Sequence, residues 1–123
     1  DQKGFIPQLL KERIMAGKFV CTVSRAGKHR FNLKAGNGQV ILTSQGYGDR
    51  AGCKNGIASV RKHSAADANF EKKTSTDGKA YFVLKASNGQ VIGTSQRYAS
   101  QSSCNNGIES VKRHARDARE VEA

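Results

Sequence analysis

A chain of 123 residues fits one compact domain or two very small ones and leaves no room for a large multidomain enzyme. Lys and Arg number 21 against 10 Asp and Glu, so the formal charge is +11. The apolar runs are far shorter than the roughly 20 residues of a membrane-spanning helix, and residues 1–14 have no signal-peptide pattern. Three cysteines without a CxxC motif favour free thiols, which indicates the cytoplasm.

Residues 1–14 precede Met15, which has the form of a natural start. Lys11-Glu12 can be encoded by AAGGAG, a ribosome-binding sequence, at a suitable distance before a start codon at Met15. We therefore expect residues 1–14 to be an N-terminal extension, either a translated leader or an added segment. The alternative is a short amphipathic helix that binds a partner. Its apolar side would carry Ile6, Leu9, Leu10 and Ile14.

An internal repeat organises the rest of the sequence. Without gaps, residues 19–69 superpose on residues 70–120 and leave 24 identical pairs in 51 positions. A match of this density over the whole segment indicates a duplication, which defines the structural unit.

Each unit opens with three predicted antiparallel strands. The first covers residues 19–24 or 70–74, and the second alternates apolar and polar residues, as in residues 31–35. Alternation with a period of two is typical of a half-buried strand. An Asn-Gly pair, at residues 37–38 and 88–89, separates the second strand from the third. Because Asn-Gly supplies two residues with positive φ, it predicts a type I′ hairpin turn.

A helix follows the third strand. A polar linker, residues 47–54 or 98–105, ends at Asn55 or Asn106, and asparagine is a good N-cap. Beyond it, apolar residues recur every three or four positions and make one narrow stripe. In the second unit the stripe comprises Ile108, Val111, Ala115 and Ala118. Each unit is therefore predicted to be β-β-β-α.

Two such units are expected to share one core. A unit of about 50 residues buries too little surface to be stable alone, and the second unit begins within a few residues of the first helix. We expect residues 15–123 to form a single pseudo-twofold domain. Because the duplication supplies internally the pairing that a single unit would need from a second chain, we expect a monomer.

Two ordered motifs each occur twice: Phe-x-Leu-Lys-Ala-x-Asn-Gly-Gln-Val-Ile-x-Thr-Ser-Gln-x-Tyr and Asn-Gly-Ile-x-Ser-Val. Over residues 15–121 the chain resembles the YegP-like family of small uncharacterised bacterial proteins. The resemblance implies an α+β fold of two β3-α-β units, with the last strand exchanged between units, one continuous antiparallel sheet and two helices packed on one face. Residues 70–73 would be the exchanged strand of the first unit, and the equivalent strand at residues 121–123 would be short. The resemblance implies no established activity, cofactor or catalytic residue.

The residues themselves give no support to catalysis. None of the identical pairs is Asp or Glu, so paired carboxylates for acid/base chemistry are not a feature of the unit. No nucleophile elbow, Walker-type loop or dinucleotide-binding loop occurs. We expect no catalytic residue and no cofactor.

Cys53 with His63, and Cys104 with His114, recur at the same spacing. Two thiolates and two imidazoles would suit a zinc site between the units. Within one unit, however, the helix places the His roughly 12 Å along its axis from the Cys, which excludes local chelation and a Cys–His catalytic pair. We expect each Cys to pack near the helix start and each His to lie on the helix surface, so we predict no metal site.

The end of the third strand provides a candidate ligand cleft, because hydroxyl, amide and aromatic groups recur there. They are Ser44, Gln45, Tyr47, Ser95, Gln96 and Tyr98. We favour the alternative, a structural role in which the Ser hydroxyls bond the turn and the Tyr rings pack under the linker with their hydroxyls in water.

A basic surface is the second candidate. If the helices cover one sheet face, the other carries Lys and Arg beside an exposed aromatic ring, and the helix exteriors add further cations. Such a surface suits phosphate contact and base stacking. Its candidate residues are Arg30, Lys34, Arg61, Tyr81, Lys85 and Arg113. We favour the alternative, a solvated basic face with no dedicated ligand.

The sequence therefore predicts a small non-enzymatic binding or interaction domain whose partner is an unidentified protein or small ligand, with no membrane association. The alternative is a protein that binds nucleic acid without sequence preference.

Overall fold

The computed structural model describes residues 17–122, and the expected N-terminal extension of residues 1–14 lies outside them. The strands are β1 (Lys18–Val23), β2 (His29–Lys34), β3 (Val40–Thr43), β4 (Phe70–Thr74), β5 (Ala80–Lys85), β6 (Val91–Thr94) and β7 (Arg119–Glu122). The helices are α1 (Arg50–His63) and α2 (Gln101–Asp117), and a short 3₁₀ helix covers Asp67–Asn69. No helix in this part of the chain is long and apolar enough to cross a membrane.

The strands form one seven-stranded sheet in the order β4-β5-β6-β3-β2-β1-β7, which confirms the predicted α+β fold. Each repeat contributes an antiparallel meander, and the two meanders meet where Thr43 of β3 pairs with Thr94 of β6.

The exchanged strand differs from the expectation. β7 follows α2 of the second repeat and pairs with β1 of the first, but it runs parallel to β1, so the sheet is mixed. Residues 70–73 are not a last strand of the first repeat. They belong to β4, the first strand of the second repeat, which pairs with β5. The chain passes from α1 almost directly into β4, and this leaves no residues for a second exchanged strand.

The turns within each meander also differ from the prediction. The N–H of Gly38 donates to the Ala35 carbonyl at 2.9 Å, and Gly38 has φ +85°. A type I′ turn requires a positive φ at both central residues, here Asn37 and Gly38. No non-glycine residue among residues 17–122 has a positive φ, so the predicted type I′ turn is wrong. Oδ1 of Asn37 accepts the N–H of Gln39 at 3.0 Å, a local bond that needs no left-handed backbone at Asn37. The loop therefore has three residues, and only the glycine is left-handed.

Both helices begin well before the predicted N-caps, Asn55 and Asn106. The N-caps are Asp49 and Ser100, and Oδ1 of Asp49 accepts a backbone N–H of the first turn at 2.7 Å. The N-cap prediction is wrong because residues 47–54 are not a purely polar linker. Cys53 is buried and extends the apolar stripe of α1 by one turn.

Both helices pack on one face of the sheet, as expected, and each crosses the junction between the repeats. α1 contacts β2 of its own repeat and also β5 and β6, whereas α2 contacts β5 and also β2 and β3. One cluster of buried residues consequently draws on both repeats. Its largest fully buried members include Phe19, Phe31, Phe82, Leu33, Leu42 and Ile57.

A histidine near the end of each helix fastens that helix to a hairpin turn of the other repeat. Nε2 of His63 accepts the backbone N–H of Ser87 at 3.2 Å, and Nε2 of His114 accepts that of Gly36 at 3.4 Å. Because Nε2 is the acceptor, the proton of His63 lies on Nδ1, which donates to the Ser59 carbonyl at 2.9 Å. The expected surface position is thus corrected: both rings are half-buried and connect the repeats.

We expect His63→Ala to lower the free energy of unfolding by about 1 kcal/mol, because it removes hydrogen bonds between the repeats at a partly exposed site. Urea denaturation followed by circular dichroism measures the change. His29→Ala removes an equally half-buried imidazole from β2 and is the control. Equal losses in the two variants would argue against a special role for His63.

Candidate binding surface on the open face of the sheet

We call the sheet face opposite the helices the open face. Side chains alternate along β2 and β5, so the neighbours of the core residues point to the open face. Four of the six residues predicted to contact nucleic acid lie there: Arg30, Lys34, Tyr81 and Lys85. The other two, Arg61 and Arg113, lie on the helices at the opposite side of the sheet. The six residues therefore do not form one surface.

A groove of about 570 Å³ lies on the open face of the second repeat and is called the open-face groove. Its lining includes Lys73, Tyr81, Val83, Thr94, Gln96 and Arg97. Tyr81 is half-exposed and lies directly opposite Lys73 in the pairing of β5 with β4. The wall of this open groove combines one aromatic ring with two cations.

Glu71 neutralises part of the charge on the open face. Its carboxylate forms an ion pair with Lys85 and lies 3.8 Å from the ammonium of Lys73. These two cations, Lys85 first, hold the pKa of Glu71 below its usual range. Arg30 on the first repeat, by contrast, is exposed and forms no ion pair within residues 17–122.

The sequence analysis missed Lys73 and Arg97. Lys73 was considered only as part of a strand, and its position beside Tyr81 follows from the cross-strand register. Arg97 occupies the variable position of Thr-Ser-Gln-x-Tyr, where the first repeat has Gly46. That difference between the copies was the available signal.

Arg61 has a structural role on the helix side. Nη2 donates to the Ala118 carbonyl at 2.5 Å, and Nη1 lies 3.4 Å from Oε2 of Glu120. The guanidinium also stacks over the Phe19 ring, 5.2 Å from its centroid. Because Ala118 and Glu120 lead into and belong to β7, Arg61 fastens the exchanged strand to α1.

The serine hydroxyls of the candidate ligand cleft serve the backbone. Ser44 is 5% exposed, and its Oγ accepts the N–H of Phe31 at 2.9 Å while donating to the Gln45 carbonyl at 2.8 Å. Ser95 makes the same two bonds with Phe82 and Gln96. These hydroxyls therefore connect the third strand of each repeat to the second.

Tyr47 and Tyr98 continue the same structural unit. Tyr47 stacks on Phe31 with ring centroids 6.3 Å apart, and Tyr98 stacks on Phe82 at 6.4 Å. Burial raises the pKa of both phenols. The Tyr47 hydroxyl abuts Gly56 of α1, where a Cβ would lie only 2.7 Å from Cζ of the ring. The helix approaches this closely because residue 56 has no side chain.

Two members of the candidate ligand cleft line a second groove, and Ser95 and Gln96 also line the open-face groove. Gln96 and Tyr98, together with Arg113 and His114 of α2, form one wall of a groove of about 360 Å³. The hairpin turn of the first repeat, residues 35–39, contributes to the other wall. A ligand-binding role for the cleft stays a prediction, and the members of the cleft that line a groove are Ser95, Gln96 and Tyr98.

The zinc hypothesis has no geometric support in the part of the chain that the structure describes, because no three His, Cys, Asp or Glu side chains converge there. Cys53 and Cys104 are buried in the first turns of the helices. Burial raises the pKa of both thiols, that of Cys53 to about 12. Thiols in this state are poor metal ligands and poor nucleophiles.

Comparison with known families places the chain. A family model described as a domain of unknown function (DUF1508) matches residues 24–71 and again residues 75–122. The chain belongs to the DUF1508 family. The two matches reproduce the internal repeat, because the family model matches each copy once.

Relatives and solved structures agree with this assignment and confirm the resemblance to YegP. The UPF0339 protein in the ptx operon 5′ region of Stutzerimonas stutzeri is 55% identical over 108 residues, which cover 88% of this chain and 97% of that protein. UPF0339 protein YegP of Escherichia coli strain K12 is 51% identical over 98 residues, 80% of this chain and 89% of that protein. The solution NMR structure of E. coli yegP, described as a protein of unknown function, matches with a TM-score of 0.83 at 46% identity and covers 88% of this chain and 93% of that one. The NMR structure of UPF0339 protein SO3888 from Shewanella oneidensis matches with a TM-score of 0.82 at 42% identity, covering 88% and 92%.

Gly56→Ala tests the packing of Tyr47 against α1. Alanine has the higher helix propensity by about 1 kcal/mol, but overpacking costs about 1–3 kcal/mol. We expect a net loss of unfolding free energy in urea denaturation, part of which Tyr47→Phe should restore in the double variant. Gly48→Ala is the control, because a Cβ at residue 48 meets nothing within 4 Å. A Gly56→Ala protein as stable as wild type would disprove the close contact.

Arg61→Ala should lower the free energy of unfolding by about 1 kcal/mol, because it removes a cation–π contact and charged hydrogen bonds at a partly exposed site. Lys62→Ala, at an exposed position of the same helix, should change it by less than about 0.5 kcal/mol. Amide hydrogen exchange in β7 should accelerate in the Arg61 variant alone. Unchanged exchange in β7 would mean that Arg61 does not hold this strand.

Proposed function

We propose that residues 15–123 are a small non-enzymatic binding domain that binds its partner through the open face of the sheet. The observation that carries this proposal is the open-face groove, in which the half-exposed Tyr81 lies beside Lys73 and Arg97 on a face that the helices leave uncovered. An aromatic ring with flanking cations binds anionic or planar ligands by stacking and by charge.

The groups around the groove support binding rather than catalysis. None of its lining residues is Asp, Glu, His or Cys, so no acid/base pair is present at its wall. The buried thiols with raised pKa and the fully bonded hydroxyl of Ser44 are unsuited to nucleophilic chemistry. The thiols of Cys21, Cys53 and Cys104 are free, which supports a cytoplasmic location. We also propose a monomer, since one core joins both repeats.

Nucleic acid bound without sequence preference is the second candidate, and the arrangement around Tyr81 favours it. A base can stack on the exposed phenol ring while Lys73 and Arg97 contact the flanking phosphates. Arg30 and Lys34 extend the cationic surface across the first repeat. Their spread along the open face suits a flexible single strand better than a compact ligand.

The test is titration of fluorescent single-stranded DNA and RNA with the full chain across a salt series. We expect affinity to fall as salt rises. Tyr81→Ala should weaken binding at least about fivefold, because the base then has no ring on which to stack. The double variant Arg30→Glu, Lys34→Glu should weaken binding further and reduce the steepness of the salt dependence, by about 0.7 in slope for each phosphate of a single strand that the variant no longer neutralises.

The matched control is Lys54→Glu, Lys62→Glu, which changes the net charge equally at exposed positions of α1. Equal weakening by both double variants would show that only net charge matters and would reject the open face as the site. No binding even at low salt would reject nucleic acid. Capture of partners from the native organism tests the broader proposal. Loss of a partner with Tyr81→Ala would support the open face as the binding surface. Retention of every partner with Tyr81→Ala and with the Arg30, Lys34 double variant would contradict it.

A further inference from the structure

The internal repeat relates the two ends of the sheet to each other. The two ends nevertheless differ in whether a strand covers them. Under the internal repeat, β4 is the counterpart of β1, and Phe70 is the counterpart of Phe19. β1 carries β7 on its outer side. On the outer side of β4, no strand lies among residues 17–122.

The backbone of β4 is oriented to accept such a strand. The N–H of Phe70 donates to the Asp67 carbonyl, so it points away from β5. Since backbone groups alternate along a strand, those of Lys72 and Thr74 also point outward, while those of Glu71 and Lys73 pair with β5. The outer edge therefore offers a row of hydrogen-bonding groups.

A groove lined by both apolar and charged side chains runs beside this edge. It has a volume of about 330 Å³, and its lining includes Phe70, Lys72, Asn105 and Ile108. Phe19 is fully buried at the end of the sheet where β7 lies, whereas Phe70 is only half-buried. The apolar surface that β7 covers at one end of the sheet is thus partly exposed at the other.

The charges beside the groove favour an acidic residue at one position. Lys72 is exposed on the helix side of β4 and forms no ion pair within residues 17–122. In the equivalent register at the other end, β7 places Glu122 opposite Cys21, and Glu122 forms an ion pair with Arg50 of α1. An Asp or Glu in an added strand would meet Lys72 at that position.

The other charges beside the groove form one cluster with a net charge of −1, because a single ammonium faces two carboxylates. Nζ of Lys112 lies 2.6 Å from Asp67 and 3.4 Å from Glu109, so this wall presents a closed ion-pair cluster. A residue opposite Phe70 would consequently gain most from apolar contact with Phe70 and Ile108.

We propose that the outer edge of β4 binds an extended peptide segment of a partner protein. The segment adds to the sheet as a parallel strand in the register that β7 adopts on β1. It places an apolar side chain opposite Phe70 and, two residues later, an Asp or Glu opposite Lys72. Strand addition of this kind derives affinity from the backbone hydrogen bonds and specificity from alternate side chains. A second copy of this chain is disfavoured as the occupant, because antiparallel pairing of two β4 edges would bring their lysines together.

The probe is a fluorescent peptide, Arg-Asp-Ala-Arg-Leu-Val-Glu-Ala, which is residues 116–123 with leucine in place of Glu120. Fluorescence anisotropy against the full chain should show saturable binding. Lys72→Glu should weaken it at least about fivefold, because attraction becomes repulsion at a partly exposed pair. A peptide with Lys in place of its Glu should recover the affinity for the Lys72→Glu protein.

Lys73→Glu is the matched control. It makes the same charge change at the next residue, but Lys73 faces the open-face groove and should alter peptide affinity by less than about twofold. The peptide is expected at the outer edge of β4 and not on the open face, so this experiment does not depend on the proposed function. Absence of saturable binding at millimolar peptide, or equal effects of the two substitutions, would overturn the proposal. A third result would also overturn it: sedimentation shows a concentration-dependent dimer that Lys72→Glu abolishes, and the wild-type protein does not bind the peptide. That result would assign the edge to a second copy of the chain.

Discussion

The packing of each helix across the junction between the repeats holds this structure together. The two meanders meet where Thr43 pairs with Thr94. This contact is short compared with the six-residue pairing of β1 with β2. The apolar stripes of α1 and α2 lie over strands of both repeats and bury them in one cluster. His63 and His114 then bind the turns of the opposite repeat. Removal of either repeat would expose part of both stripes, so the stability of each copy depends on the other.

Several identical positions of the two copies mark this structural constraint. Ser44, Tyr47, Gly56 and His63 each have an identical counterpart, and each makes a contact that the fold requires. The open face keeps one identical pair, Lys34 and Lys85, but differs between the copies elsewhere: Arg97 replaces a glycine, and the groove beside it is formed in the second repeat. In a duplicated chain, binding properties can arise at positions where the copies differ, because the core restrains those positions least.

Local patterns predicted most of the fold, and long-range contacts account for much of what they missed, although the turn at Asn37 differs from the prediction for a local reason. Alternation at residues 31–35 and the apolar stripe beginning at Ile108 identified the strands and the second helix, and the repeat identified their order. The N-cap prediction at Asn55 failed because burial of Cys53, a tertiary property, extends the helix. The parallel pairing of β7 with β1 joins segments a hundred residues apart, and no local pattern records it. For the same reason, the sequence alone indicated a solvated cation at Arg61, whereas the fold brings this residue against β7.

Covalent fusion of the repeats creates the asymmetry at the two ends of the sheet. The segment after α2 is free to extend back to β1 and becomes β7. The segment after α1 must instead continue into the second repeat, so it becomes a 3₁₀ turn and then β4. One sheet edge is thus covered by the chain itself, while within the described residues the other ends at β4. Lys72 and Lys73 on that strand oppose pairing between copies, and a chain with a formal charge of +11 adds long-range repulsion to the same effect. Among the described residues, this edge is therefore protected against self-association by charge rather than by coverage, and this protection does not extend to strands of the opposite charge.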